Sequence, residues 1–217
     1  WSYSTYYNKG FSFQYFFYEL NAWKEFYQIT DNKKFTSIIS LYDYLISLHE
    51  YFIQHAISTQ DNTPEIDDIK TYESFLNALL NTDLTEALEI SNTYIQTKED
   101  VVIFWEKIIL PCLYTIGNKW AQAEISVGAE HSATSICQRI MAEHYGFIIE
   151  HIKDKRNILV TTSPNELHEV GALMLSDILE LNGHNVTYLS SKTSTESLCE
   201  TISTDEIEFI LISTTLV

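Results

Sequence analysis

The apolar residues of this chain change their spacing near Asn157, and this change constrains the fold more than any other feature. From there on, short apolar runs alternate with helical patterns, in the order strand, helix, strand, helix, strand. The runs lie at 157–161, 186–189 and 209–212. Strands joined by helical crossovers pair in parallel, because each crossover returns the chain to the same end of the sheet. We therefore predict an α/β fold with a Rossmann-like parallel sheet.

The first helix between these strands is expected at about 169–182, where Gly183 ends it, and the second at 194–203. No GxGxxG sequence follows the first strand, so the pattern does not indicate dinucleotide binding.

Four helical patterns precede the sheet and predict a four-helix bundle. Helix-start signals occur at Thr63-Pro64, Asp83-x-x-Glu86, Thr97-x-x-Asp100 and Ser126. We expect Pro111 to kink the third helix and Gly117 to lie near its end. The inner face of the fourth helix is predicted to carry Ala133, Ile136, Cys137, Ile140, Met141, His144 and Ile148.

Residues 1–60 are rich in Tyr, Phe and Trp. Apolar residues recur at helical spacing over 34–60, and a further helix is predicted at 11–29. Two interpretations stay open. The rings pack on neighbouring elements or on a second chain, or some of them line a flat, conjugated ligand.

These patterns divide the chain into an aromatic-rich helical extension at 1–62, a helical bundle at 63–152 and the first part of a sheet domain at 153–217. The charged stretch 151–156 marks the second boundary. The chain begins with Trp and stops on a strand, so we expect more of this domain to follow Val217 in the natural protein.

Composition excludes several classes of function. The net charge of −17 argues against a nucleic-acid partner, because phosphate contacts need clustered Lys and Arg. The three cysteines form no CxxC pair, which fits a reducing, cytoplasmic setting without a zinc site. No apolar run is long enough to span a bilayer, so no membrane partner is expected.

Two short constellations carry the chemistry. In the first, Glu166 and His168 stand where the first strand gives way to a helix, which is where open α/β sheets bind ligands. A metal-ligating His needs a carboxylate to fix its tautomer and orientation, and Glu166 is placed to supply it. We predict that His168 ligates a large planar metal cofactor from below. The second constellation, which consists of Trp120, Glu130 and His131, is predicted to cap the cofactor from above.

Together these residues resemble a known family. A helical bundle followed by ExHxxG after the first strand of a Rossmann-like domain is similar to the cobalamin-binding module of corrinoid methyltransferases and of light-sensing repressors. The stretch from Gly117 through Glu130-His131 to Glu143 is most similar to the light sensors. The resemblance covers about 63–217.

The resemblance implies that His168 is the lower axial cobalt ligand and that Glu166 hydrogen-bonds to it. It implies that Gly171 leaves room near the nucleotide tail of the cofactor, and that Ser213 and Thr215 contact this tail.

On the upper face, the resemblance implies that Trp120 lies over the ring, and that Glu130 and His131 surround an adenosyl ligand. Adenosylcobalamin is therefore the expected cofactor. The chain departs from the repressors at Ala121, where they carry a second His that ligates cobalt after illumination. A light state with two His ligands is therefore not expected here.

The functional expectation is a cobalamin-dependent light sensor and not an enzyme. Photolysis of the upper ligand would drive rearrangement of the helical bundle at 63–152, which we call the helical cap. The sensor is expected to act as a homo-oligomer or with an output partner. A more specific version resembles the photocobilins, in which a bilin such as biliverdin is a second chromophore. The alternatives are a corrinoid carrier for methyl transfer, or a domain of this fold that binds haem or nothing.

Overall fold

The computed structural model describes residues 2–31, 33–57, 66–149, 155–164 and 166–214. The chain forms two compact units. The first comprises Trp1–Thr63 and Gly117–Val127, with Val217, and the second comprises Pro64–Ile116 and Gly128–Leu216. The expected boundaries at 62/63 and 152/153 fall on residues outside the described ranges and stay predictions.

The first unit is helical. Its helices are α1 (Ser2–Asn8), α2 (Gln14–Asp31), α3 (Thr36–Ser47) and α4 (His49–Ile57). The helix expected at 11–29 is therefore present with slightly different bounds. The helical stretch expected at 34–60 is divided at Leu48 into α3 and α4.

Helix α2 packs against α3 through one ion pair and one ring cluster. The Nζ of Lys24 lies 2.5 Å from Oδ1 of Asp43. The ring of Tyr27 lies 5.1 Å from that of Phe35 and 6.0 Å from that of Tyr42, measured between centroids. These contacts fix one face of α2 and leave its opposite face without a neighbour in this helix pair.

Few side chains of the first unit are buried. Among its described residues only Ile39 and His49 are, at 8% and 5% exposure. Tyr3 and Phe17 flank His49, and the Oη of Tyr3 lies 2.8 Å from its Nδ1. The rings of this unit therefore contact one another and solvent more than they fill a core.

The second unit begins with its own helices. They are α5 (Ile69–Leu80), α6 (Leu84–Tyr94), α7 (Lys98–Phe104), a π-helical turn (Trp105–Ile109), α8 (Leu110–Ala121), α9 (Val127–His144) and α10 (Gly146–Ile149). The last residues of α8, from Gly117 on, fall in the first unit.

The predicted helix starts have different outcomes. Helices begin after Asp83 and Thr97, as predicted. Asp83 accepts from the backbone N–H of Glu86, and Thr97 forms a reciprocal capping box with Asp100. Thr63-Pro64 lies outside the described residues, and 66–68 are not helical, so a helix continuing from Pro64 was wrong. Asp68 is the cap of α5 instead, because its side chain accepts from the N–H of Thr71 at 3.1 Å.

The third helix differs from its prediction at two points. Pro111 has no backbone N–H to donate, and in a regular α-helix its ring would crowd the carbonyl of Lys107. The helix accommodates it with the π-helical turn at Trp105–Ile109, in which the N–H of Leu110 bonds to the carbonyl of Trp105. The expected end near Gly117 was wrong, because α8 continues to Ala121 and Trp120 lies in its last turn.

The core of the second unit lies between these helices. The rings of Phe75 and Phe104 meet edge to face at 5.2 Å, and Trp105 is fully buried beside them. All seven residues predicted for the inner face of the fourth helix are buried, but only six of them lie in α9; the helix ends at His144, and Ile148 lies in α10. This core holds α9 in place and so fixes its first turn, where Glu130 and His131 stand.

The sheet follows, with β1 (Asn157–Thr162), α11 (Val170–Leu181), β2 (Asn185–Leu189), α12 (Thr195–Thr204) and β3 (Phe209–Ser213). All pairing is parallel, in the order β2-β1-β3. Gly183 ends α11 with φ +89°, as predicted, and Ser194 caps α12. The predicted fold class is therefore confirmed as a helical N-terminal region followed by a Rossmann-like parallel sheet.

The strand order determines where a ligand binds. The chain leaves central β1 for β2 on one side and then crosses to β3 on the other. Such a reversal opens a crevice outside the carboxyl ends of the strands that flank it, here β1 and β3. The loop after β1 contains Glu166 and His168, and β3 ends at Ser213.

None of the helices in the described part of the chain combines the length and the apolar character that crossing a membrane requires.

Candidate functional site

The loop after β1 is tied to the end of β3. The backbone N–H of Ser163 donates to the carbonyl of Ser213 at 2.9 Å, and its Oγ donates to Oγ1 of Thr214 at 3.2 Å. The N–H of Glu166 then donates to the carbonyl of Ser163 at 3.1 Å. The loop therefore holds Glu166 in a fixed position beside the crevice between β1 and β3.

Glu166 and His168 form a tight pair in this loop. Oε1 of Glu166 lies 2.7 Å from Nδ1 of His168 and accepts from the backbone N–H of His168 at 2.8 Å. A carboxylate only accepts, so Nδ1 carries a proton, and in the neutral imidazole the lone pair is then on Nε2. The side chain of Glu166 is 5% exposed and that of His168 is 64% exposed. This arrangement is typical of a metal-ligating His, in which a carboxylate accepts a hydrogen bond from one ring nitrogen and the other nitrogen binds the metal.

An unsatisfied polar atom lies at the end of the strand that precedes this pair. The Oγ1 of Thr162, at the end of β1, is buried and has no hydrogen-bond partner among the described residues. A buried hydroxyl without a partner is costly, and a ligand entering the crevice would satisfy it. This observation and the free Nε2 of His168 fit a cofactor that brings both a metal and polar groups.

Gly171 lies in the first turn of α11 and is exposed. A Cβ built on it would meet no atom within 4 Å. The packing of the chain itself therefore does not require glycine here, and open space at this point agrees with the predicted room for a ligand.

Glu169 has a role that the sequence did not reveal. Its Oε1 accepts from the backbone N–H of Ser191 at 2.7 Å, which ties the loop after β1 to the segment after β2. The ExHE spacing alone does not tell which of its two carboxylates orients the His and which anchors a neighbouring loop. Ser163 and Thr162 were missed as well, because polar residues at a strand end are common in loops.

The contacts predicted between the tail of the cofactor and two residues, Ser213 and Thr215, stay predictions. Ser213 lies at the end of β3 and pairs with Thr162 in the sheet register, so it borders the crevice. Thr215 lies outside the described residues.

Glu130 and His131 form a second carboxylate–histidine pair, in the first turn of α9. Nδ1 of His131 lies 2.5 Å from Oε2 of Glu130. Oε1 of Glu130 accepts from the hydroxyl of Thr134 at 3.0 Å, so this carboxylate is held at both oxygens. The side chain of His131 is 73% exposed and available to a ligand.

Trp120 lies in the first compact unit. The Nζ of Lys9 stands 3.8 Å from the centroid of its ring, and the side-chain amide of Asn8 donates to the carbonyl of Ala121 at 2.9 Å. A cation over the indole face is favourable because the face of the ring is electron-rich. The role of Trp120 above a cofactor stays a prediction.

Two further groups of titratable residues lie outside the candidate site. Nε2 of buried His144 lies 3.2 Å from the hydroxyl of Ser91, and burial lowers its pKa, which agrees with a structural role. Burial raises the pKa of the Asp177 carboxyl to about 7, and the charge of Glu180 adds to the shift. Tyr145 donates to Oε2 of Glu180 at 2.9 Å and so links the end of α9 to α11.

No group of three or more His, Cys, Asp or Glu side chains among the described residues is arranged to hold a metal ion. Buried Cys112 and Cys137 are unreactive thiols, because desolvation raises the pKa of both.

Comparison with known proteins agrees with part of these expectations. Residues 71–143 match the B12 binding domain family. The matched stretch runs from α5 to α9 and includes Trp120, Glu130 and His131, but it ends before the sheet. No curated protein matches the chain.

Among solved structures, the chain is similar to one from the crystal structure of the methanol:cobalamin methyltransferase complex MtaBC from Methanosarcina barkeri. The identity is 13% and the TM-score 0.37, with 75% of this chain and 66% of that chain covered. The chain therefore spans just under two thirds of that relative, and a likeness of this size does not transfer an activity. The family match over the helices supports cobalamin binding.

Proposed function

We propose that this protein binds cobalamin with Nε2 of His168 as the lower axial ligand. The observation that carries the proposal is the hydrogen bond of 2.7 Å between Glu166 and Nδ1 of His168, which occupies one ring nitrogen of a largely exposed imidazole and leaves Nε2 for a ligand. Imidazole is a good ligand for cobalt, and the fixed tautomer removes the cost of orienting it on binding.

The neighbouring residues are assigned complementary roles. Gly171 keeps the start of α11 open for the buried tail of the cofactor, and Ser213 lines the crevice beside it. We expect Thr215 to add a contact to this tail. The free Oγ1 of Thr162 would then gain a partner from the polar edge of the cofactor.

We further propose that the protein is a light sensor. Cobalamin with an adenosyl ligand supplies a cobalt–carbon bond that light breaks. Trp120 would exclude water from the upper face, and the carboxylate of Glu130 would hold His131 toward the adenosyl group. The change in the contacts of these three residues after photolysis would move the helical cap.

The test is the absorption spectrum of the purified, adenosylcobalamin-loaded protein before and after green light, with its hydrodynamic radius measured in both states. We expect a spectral change, and with it a change in radius that Trp120→Ala reduces. The matched control is Tyr44→Ala, which removes an exposed aromatic ring in α3. If the parent and Trp120→Ala proteins photolyse and change shape alike, the cap has no sensing role.

The alternative is a corrinoid carrier for methyl transfer. A carrier must expose the metal to a partner enzyme, which the cap of Trp120, Glu130 and His131 disfavours. Two results together would favour the carrier. A methyl donor and a partner enzyme would methylate the reduced, cobalamin-loaded protein, and illumination would leave its hydrodynamic radius unchanged.

The proposed second chromophore is biliverdin, held by the aromatic residues of the first unit. Its rings would pack against aromatic side chains of this unit such as Tyr3 and Phe16, which stack on each other at 4.4 Å, and its propionates would pair with lysines. Adding biliverdin to the cobalamin-loaded protein tests this. If no red-absorbing complex forms, these rings serve packing or association alone.

We infer that the protein acts in the cytoplasm as a homo-oligomer. The acidic charge of −17 and the lack of a CxxC pair support this setting, and the exposed rings of α2 support association.

A further inference from the structure

We propose that the outer face of α2 forms a two-fold interface with a second copy of this chain. The face consists of Tyr15, Tyr18, Ala22, Phe26 and Ile29, which we call the α2 stripe. The proposal specifies the surface of the inferred homo-oligomer and does not depend on cobalamin binding.

The α2 stripe is apolar where a surface helix is normally polar. All five residues are exposed, and Tyr18 and Ile29 are 68% and 77% exposed. The opposite face of the same helix already packs on α3 through Lys24 and Tyr27. Helix α2 therefore has two apolar faces. Among the described residues, ring contacts on the second face occur at its N-terminal end, where Tyr15 meets Tyr6 and Phe11.

The spacing of the stripe identifies a second copy as the occupant. Its residues follow one another at steps of three, four, four and three, which is symmetric about Ala22. In an antiparallel pair of α2 helices with the two-fold axis at Ala22, Tyr15 lies opposite Ile29 of the second copy, and Tyr18 lies opposite Phe26. Each ring then meets an apolar side chain, and the smallest residue lies on the axis, where the two backbones approach most closely.

The available area is sufficient for a specific but moderate contact. The ring of Trp23 lies 5.9 Å from that of Phe26 and extends the stripe. Large side chains that are about half exposed offer roughly 100 Å² each, so the stripe and Trp23 supply about 500 Å² per copy. Two copies reach about 1,000 Å², which is the lower bound for a specific interface.

The charges beside the stripe distinguish this contact from others. Glu19 and Glu25 are exposed on its two sides, and in the antiparallel pair Glu19 faces Glu25 of the second copy. Added salt screens the repulsion between Glu19 and Glu25, so dimerisation should become stronger as the salt concentration rises. Association with a cationic partner would weaken with salt, and acidic flanks disfavour an anionic membrane surface.

The experiment is sedimentation equilibrium of the full 217-residue chain, as the parent and as the Ala22→Glu variant. We expect the parent to dimerise with a Kd that falls as salt is raised, and Ala22→Glu to raise the Kd at least tenfold. The matched control, Gln28→Glu, places the same charge on an exposed position of α2 outside the stripe and should leave the Kd unchanged. Circular dichroism checks that the variants keep their helices.

A mixture of two variants tests the two-fold axis itself. Ala22→Glu and Ala22→Lys proteins should each be monomeric alone, and they should form a heterodimer when mixed, because position 22 meets itself. A parent that stays monomeric at about 100 µM would overturn the proposal, since an interface of this size should associate there. Three further results would also overturn the proposal: a Kd that Ala22→Glu leaves unchanged, a Kd that Gln28→Glu raises as much as Ala22→Glu does, or a mixture that forms no heterodimer.

Discussion

Oε1 of Glu166 lies 2.7 Å from Nδ1 of His168 and 2.8 Å from its backbone nitrogen. One carboxylate oxygen thus fixes both the ring and the backbone of the same residue. The acid is buried and the imidazole is largely exposed, so the pair leaves the Nε2 side of the ring open to a ligand. The account of the function given above depends on this relationship.

Replacing Glu166 by Gln should weaken cobalamin binding without unfolding the protein. The amide keeps the shape of the side chain but loses the charge that makes Nδ1–H the preferred donor. Loss of a residue that orients a metal ligand typically costs about 10–100-fold in affinity. Titration of apo-protein with cobalamin measures this.

The control for this change is Glu200→Gln, which removes one charge from an exposed position of α12. It should bind as the parent does. Equal affinities of the Glu166→Gln and parent proteins would show that Glu166 does not support the ligand.

Gly171→Ala separates folding from binding. The added Cβ meets no atom of the protein within 4 Å, and alanine favours helix by up to about 1 kcal/mol over glycine. We therefore expect an apo-protein at least as stable as the parent, but weaker cobalamin binding. Urea unfolding and cofactor titration together measure the two effects, and unchanged affinity would refute a role for Gly171 in making room for the cofactor.

Asp177 should make stability depend on pH. Burial, with the charge of Glu180 adding to it, raises its pKa from 3.8 to about 7. The native state then keeps a proton that the unfolded chain releases, so the free energy of unfolding falls as pH rises from about 4 to about 7. Asp177→Asn should remove this decrease. At about pH 8 the free energy of unfolding of the variant should exceed that of the parent by on the order of 2–4 kcal/mol.

Urea unfolding of parent and Asp177→Asn proteins at about pH 5 and pH 8 measures this difference. The nearby Tyr145, Glu180 and Tyr188 remain in both proteins. Asp205→Asn, at an exposed position, should leave the pH dependence unaltered. If the free energy of unfolding falls equally between the two pH values in the parent and in Asp177→Asn, Asp177 is not the source of the pH dependence.

Local signals in the sequence predicted much of the fold. The capping box of Thr97 and Asp100, the inner face of α9 and the αL position of Gly183 depend on neighbours within a few residues, and all are present. The end of α8 was misplaced because one glycine costs a helix only about 1 kcal/mol, so tertiary contacts decide whether it stops there. Such contacts, here those of Asn8 and Lys9, are not encoded in the local pattern.

The candidate site was predictable to a similar degree. The spacing of Glu166 and His168 allowed their hydrogen bond, because two residues of one loop lie within reach of each other. The contact of Glu169 with Ser191 joins residues 22 positions apart and depends on how two loops pack at the edge of the sheet. The assignment of Trp120 to the first unit is a long-range feature of the same kind.

The central claim is that Nε2 of His168 ligates cobalt, and electron paramagnetic resonance of the reduced, Co(II) form tests it most directly. Each cobalt line is split by the nucleus of the axial nitrogen, into three by ¹⁴N and into two by ¹⁵N. Protein made with ¹⁵N-histidine and loaded with unlabelled cobalamin should therefore show doublets, and labelled His168→Ala protein should not. Triplets in the labelled parent would mean that the axial nitrogen comes from the cofactor, and this result would contradict the account.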